Sequence, residues 1–156
     1  MKKVFYLFAM TSLFACAALI NSYAANKAPK RESIVVVKVF DGDTIQATRG
    51  KEVVTIRLAD VDCAEKTKKS GRLPKQIEEW GMSEEEIKKQ GEKSKTKLES
   101  LLKLYAEDIT FIETPEKVCK TGNGKRLVGI IYAEDINVND YMLKRGECRP
   151  FTCADK

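Results

Sequence analysis

Between Ser33 and Ala59 three runs rich in β-branched residues are separated by only two short turns, and this constrains the fold more than any other feature of the chain. Ser33–Phe40 is dense in Val and Ile, and Asp41-Gly42 then supplies a turn. Asp43–Thr48 forms the second run, Arg49-Gly50-Lys51 the second turn, and Glu52–Ala59 the third run. Apolar alternation bounded by Asp, Gly and charged residues predicts strands joined by tight reversals.

The remainder reads in the same way. Lys66 to about Met82 is expected to be a loop, rich in Lys and Arg and holding Gly71 and Pro74. Ser83 and Glu86 form a capping box that opens a helix. Ile87, Gly91, Ser94, Leu98, Leu101, Leu102 and Tyr105 then recur at spacings of three and four, which predicts one buried stripe. Glu84 with Lys88, Glu85 with Lys89 and Glu99 with Lys103 are placed to pair along the wet face. Asp108–Thr114 and Arg126–Ala133 read as two more strands. A short second helix follows, capped by Asn137 or Asn139, with Val138, Met142 and Leu143 inward and Gly146 as its stop. The order βββαββα in a chain of 156 residues predicts one α+β, mainly β domain over 33–156. Its expected form is a five-stranded OB-fold barrel with a long helix after strand three and a short helix after strand five.

The first 24 residues read as a signal peptide. Lys2 and Lys3 precede an apolar run from Val4 to Ile20, and small residues follow at Ser22, Ala24 and Ala25. Cleavage after Ala24 leaves a flexible polar tail over 25–32. A retained anchor is the weaker reading, because the run falls short of the roughly 20 residues that span a bilayer. A lipoprotein anchored through Cys16 is the alternative, since Leu13-Phe14-Ala15-Cys16 is close to a lipobox apart from Phe14. The protein is thus expected to be exported, whether secreted or periplasmic.

Cys63, Cys119, Cys148 and Cys153 remain as an even set, as an oxidising compartment favours. No Cys-x-x-Cys pair is present to suggest zinc. Four cysteines allow three pairings, and loop position leans toward Cys63–Cys148 with Cys119–Cys153.

The chain has no histidine. Ser/His and Cys/His nucleophile systems, zinc sites of the His type and imidazole acid–base chemistry are therefore excluded. What remains is carboxylate, Arg, Lys, Cys, Tyr or a metal held by oxygen. If the second turn is centred on Gly50, Asp43 faces Arg57 across strands two and three, with Cβ atoms about 5 Å apart. Asp60-Val61-Asp62-Cys63-Ala64-Glu65 leaves from that same end. Asp41, Asp43, Asp62 and Glu65 are thereby expected to gather around Arg57. Carboxylates crowded together need positive charge, and an all-oxygen set favours Ca²⁺ ahead of Mg²⁺. Taken singly, Asp41-Gly42-Asp43 is an ordinary turn and Arg57 a solvated strand residue; only the conjunction points to a site.

These residues resemble the staphylococcal nuclease (thermonuclease) family. The resemblance is carried by Val39-Phe40-Asp41-Gly42-Asp43-Thr44, by Ile56-Arg57-Leu58-Ala59-Asp60-Val61-Asp62-Cys63-Ala64-Glu65, and by Gly124-Lys125-Arg126-Leu127-Val128-Gly129. It runs from about Ile34 to Phe151, and the intervals from Asp43 to Arg57, Asp62 and Glu65 match without a gap. It implies Ca²⁺ held by Asp43, Asp62 and the backbone carbonyl of Cys63, with Asp41 in support. Glu65 would orient or deprotonate the attacking water, and Arg57 and Arg126 would hold the scissile phosphate. The implied activity is a Ca²⁺-dependent nuclease, a monomer cleaving DNA and RNA to 3′-phosphate ends. Arg suits the phosphate role because its paired N–H donors match two phosphate oxygens. Cys63-Ala64 replaces the family's usual Thr-Pro, Gly122-Asn123-Gly124-Lys125 lacks its substrate-side Tyr, and the family's last helix is missing.

Lys66, Lys68, Lys69 and Arg72 follow Glu65 directly and are expected to track phosphates, or else to form a solvated loop. Trp80 is read as a packing anchor. The competing function is a non-catalytic OB module that binds nucleic acid or protein. A structural domain stapled by disulfides would leave the carboxylate cluster unexplained.

Overall fold

The computed structural model describes residues 29–67, 71–114 and 126–151. The expected signal segment, Cys16, Lys68, Lys69, Cys119, Gly124, Lys125 and Cys153 lie outside the described residues. The chain divides between Lys30 and Arg31, and the unit from Arg31 onward carries every element below. Among the described residues no helix is long and apolar enough to cross a membrane.

The fold is α+β with sheet predominating. Its elements are β1 (Glu32–Ser33), β2 (Val35–Val39), β3 (Thr44–Arg49), β4 (Glu52–Leu58), β5 (Val61–Cys63), α1 (Leu73–Trp80), α2 (Glu84–Leu104), β6 (Ile109–Glu113), β7 (Arg126–Ala133), β8 (Ile136–Asn137), α3 (Val138–Lys144) and β9 (Cys148–Pro150). The main sheet runs β1-β6-β7-β4-β3-β2, with β8 on β7, and β5 pairs with β9 separately. All ladders are antiparallel except β4 with β7. Among the described residues no ladder joins β1 to β2, so the strand path is open at its two ends. The expected tail also ends earlier than predicted, because Glu32 already pairs with Phe111.

The hairpin register differs from expectation by one residue. Arg49 pairs with Glu52, so the reversal is the two-residue loop Gly50-Lys51, with Gly50 at φ 61°. Thr44 rather than Asp43 therefore stands opposite Arg57. A one-residue shift exchanges the faces of a strand, and here it is fixed by the core. Ile45, Ala47, Ile56 and Leu58 are buried together, with Phe111, Ile131, Met142 and the α2 stripe Leu98, Leu101, Leu102 packed among them.

α2 forms as its sequence dictates. Ser83 N donates to Glu86 Oε2 at 2.8 Å and Glu86 N to Ser83 Oγ at 3.3 Å. Glu84 meets Lys88, whereas Glu99 meets Lys95. In α3, Asn137 is the cap, accepting from Asp140 N. Asn139 is instead buried, accepting from Ile131 N and donating to Ala59 O and Gly129 O across the β4–β7 seam.

The predicted loop over Lys66–Met82 is in part a helix. Leu73, Ile77 and Trp80 share one face of α1, Pro74 sits in its first turn, and Gly81 ends it at φ 64°. That face closes a second small core with Ala64 and Ile87. The surrounding Lys, Arg and Gly residues masked an apolar stripe only eight residues long. Trp80 is an anchor of this core, as expected.

Candidate active site

The site begins with the Phe40–Thr44 turn. Phe40 N donates to Thr44 O at 2.9 Å, and Asp43 N donates to Asp41 Oδ1 at 3.1 Å. Gly42 is needed for space. A Cβ there would lie 2.4 Å from Ser94 Oγ on α2 and 2.7 Å from Cys63 Cβ. The turn is thus pressed between the long helix and β5, which buries Asp43.

Arg57 ties this turn to the next loop. Its Nη1 donates to Asp43 Oδ1 at 2.9 Å, and its Nη2 to Asp62 Oδ1 at 3.2 Å and to Val61 O at 3.1 Å. Only 8 % of Arg57 is exposed, against 3 % of Asp43 and 2 % of Asp62. Asp43 also accepts from Thr44 Oγ1 and from Cys63 N. Burial pushes the Asp43 carboxyl up to about 7, against the pull of Arg57 and with the nearby charge of Asp41 adding to the rise. Burial also works to lower the Arg57 guanidinium, but the carboxylates of Asp43, Asp62 and Asp41 more than reverse it and hold the pKa above its usual value.

Asp62 is enclosed from its other side by α1. Arg72 Nη2 donates to Asp62 Oδ2 at 2.9 Å and Gln76 Nε2 does so at 3.0 Å. Arg72 departs from the expectation that it tracks phosphates. Its guanidinium joins Asp62 to Glu79 (2.6 Å), because the first turn of α1 lays it across both. Gln76 was not anticipated at all. It is wholly buried, and its amide meets Asp62, Cys63 O and Glu65 N.

Glu65 follows in the same loop and is half-buried, as is Lys66. α2 supports this loop through Gly91, where a Cβ would fall 2.6 Å from Ala64 O and 2.9 Å from Glu65 C and Lys66 N. Gly91→Ala gains about 1 kcal/mol of helix propensity, whereas overpacking against such backbone costs about 1–3 kcal/mol. A net loss of stability in urea is therefore expected, and stability at or above wild type would show that the loop yields freely.

Arg126 opens β7 beside Thr55, and Val128 stands beside Arg57. Residues in register share a face, so Arg126 and Arg57 lie on the side of the sheet away from the core. Strand spacing and rise place their Cα atoms about 8 Å apart. Among the described residues the Arg126 side chain makes no hydrogen bond or ion pair, in contrast to the enclosed Arg57.

The expected calcium ligands do not fit the ion in this arrangement. Asp43 and Asp62 are bridged by Arg57, and Asp62 Oδ2 and Cys63 O both accept from Gln76. Among the described residues no three Asp, Glu, Cys or His side chains converge on one point suited to a metal. The charge of the acidic cluster is balanced by the Arg57 and Arg72 guanidinium groups, and the Gln76 amide adds hydrogen bonds.

Cys63 is bonded to Cys148, which joins β5 covalently to β9 as loop position suggested. The segment Arg149–Phe151 consequently lies over the site. The Phe151 ring centroid is 5.6 Å from Arg57 Cζ and 5.3 Å from Arg72 Cζ, and Arg149 stacks on Trp80 at 4.4 Å. A bridge between residues 85 apart contributes about 3–5 kcal/mol by restricting the unfolded chain. Cys148→Ser is expected to lose that amount in urea titration, and dithiothreitol should produce the same shift in wild type; a variant as stable as wild type would contradict this.

No family model matches the chain. It is similar to two curated relatives, each named "Uncharacterized endonuclease", from Escherichia coli O157:H7 and from Escherichia coli. Each is 29 % identical over 112 residues, covering 71 % of this chain and 56 % of the relative. The chain thus spans about half the length of the curated relatives it matches.

Proposed function

We propose that this protein is an exported nuclease of the thermonuclease type that hydrolyses phosphodiester bonds in DNA and RNA. The observation that carries the reading is the buried network of Asp43, Arg57 and Asp62, drawn from three separate segments. Arg57 shares its sheet face with Arg126, and Glu65 follows Asp62 by three residues. The endonuclease names of the two relatives agree with it. The Cys63–Cys148 bridge suits an oxidising compartment. An OB barrel suits the topology as well, because Ile34 alone separates β1 and β2, the two ends of the strand path.

In this reading Arg126, together with the remaining N–H groups of Arg57, binds the non-bridging oxygens of the phosphate. Glu65 takes a proton as water attacks phosphorus. The P–O5′ bond breaks, the 5′ oxygen is protonated from solvent, and phosphate remains on the 3′ oxygen. The oxygens that would take calcium are engaged by Arg57, Arg72 and Gln76, so the chemistry proposed rests on the chain's own residues.

The test is cleavage of single- and double-stranded DNA and of RNA, in EGTA and after Ca²⁺ addition, by wild type and Arg126→Ala. Cleavage that falls ~10²–10³-fold in Arg126→Ala supports the assignment. Tight binding without cleavage would put a non-catalytic nucleic-acid-binding module in its place. A strict Ca²⁺ requirement would mean that Gln76 releases Asp62 and Cys63 when the ion enters.

A further inference from the structure

We propose that Gln76 is a positioning residue for the reaction, holding the Asp62–Glu65 loop so that the Glu65 carboxylate meets the attacking water. This deepens the nuclease reading and rests on it.

A primary amide offers one acceptor oxygen and two donor hydrogens, and all three are used toward this single loop. Gln76 Oε1 accepts from Glu65 N at 2.8 Å, while Nε2 donates to Cys63 O at 2.8 Å and to Asp62 Oδ2 at 3.0 Å. The side chain is 0 % exposed, so no water competes for these bonds and none is at hand to replace them. The clamp comes from α1, whose own position is set by the packing of Leu73 and Trp80 against Ala64 and Ile87. The loop is therefore gripped from two sides. Gly91 of α2 abuts its backbone at Ala64–Lys66, and Gln76 fixes its polar groups. Cys63-Ala64 carries no proline to stiffen the loop, and the amide of Gln76 supplies restraint on both sides of Ala64. No other uncharged side chain of this length has both an acceptor and a double donor at its tip.

The experiment is a double-mutant cycle between Gln76→Leu and Glu65→Ala, read with a fluorogenic oligonucleotide and accompanied by thermal melts. Displacing a catalytic group by about 1 Å costs ~10²-fold. Gln76→Leu is accordingly expected to lower kcat by about 10–100-fold with KM within a few-fold. In the Glu65→Ala background the same change should cost almost nothing, because the side chain it positions is gone. Losses that multiply would show a merely structural role and overturn the proposal, as would wild-type kcat in a folded Gln76→Leu. Should Gln76→Leu fail to fold, hydrogen exchange of wild type decides. A Glu65 amide protected as strongly as those of β4 supports the clamp, and exchange at loop rates overturns it. A wild-type protein without cleavage removes the nuclease reading and this proposal with it, a result visible before any variant is compared.

Discussion

Arg57→Ala is expected to lose the fold's stability together with any cleavage activity. The guanidinium is the cross-link between the Asp43 turn and the Asp62 loop, bonded to both carboxylates and to Val61 O. Removing it leaves two carboxylates, 3 % and 2 % exposed, facing each other without their shared counter-charge. Breaking a buried ion pair by deleting one partner costs about 3–5 kcal/mol, a large part of the stability of a small domain. Arg72 still neutralises Asp62, so the damage should fall chiefly on Asp43 and on the Phe40–Thr44 turn. Urea titration would show the midpoint falling well below that of wild type, and Arg57→Lys should recover only part of the loss. A lysine carries the charge on a single nitrogen, where Arg57 reaches Asp43 with one nitrogen and Asp62 and Val61 O with another. A folded Arg57→Ala with an unchanged midpoint would mean that this guanidinium is free for substrate and is not structural.

Glu65→Ala should behave in the opposite way, with its effect confined to the chemistry. The contact that Glu65 makes to Gln76 uses the backbone N–H, which alanine retains. Glu65 is half-buried and belongs to neither apolar core. A melting temperature close to that of wild type is therefore expected. If Glu65 takes the proton from water, cleavage should fall ~10²–10⁴-fold, the usual contribution of a positioned base. The paired comparison is informative. Arg57→Ala losing stability while Glu65→Ala keeps it would separate the scaffold of the site from its reactive edge, whereas a Glu65→Ala variant retaining more than a tenth of the rate would remove Glu65 from the mechanism.

Much of this was legible in the residues alone. The strand runs, the capping box at Ser83, the buried stripe of α2 and the meeting of Asp43 with Arg57 all depend on local periodicity or on short, tight turns. Such features are set within a few residues of one another, so the order of side chains is enough to state them. The pairing of Cys63 with Cys148 was also within reach, as one of three choices.

What the residues could not reveal depends on contacts between distant segments. The Thr44–Arg57 register follows from a two-residue loop that the three polar residues Arg49-Gly50-Lys51 leave ambiguous. α1 is too short for its periodicity to stand out among lysines and arginines, and it exists because Ala64 and Ile87 offer Leu73 and Trp80 a surface to pack on. That packing carries Gln76 and Arg72 onto Asp62, and it changes the chemistry expected of the cluster. Carboxylates whose spacing suggested a seat for a cation are closed by the protein's own nitrogen donors. Which partner a buried carboxylate takes is decided by whatever group the fold brings within 3 Å, and a sequence orders side chains along a line without measuring the distances between them.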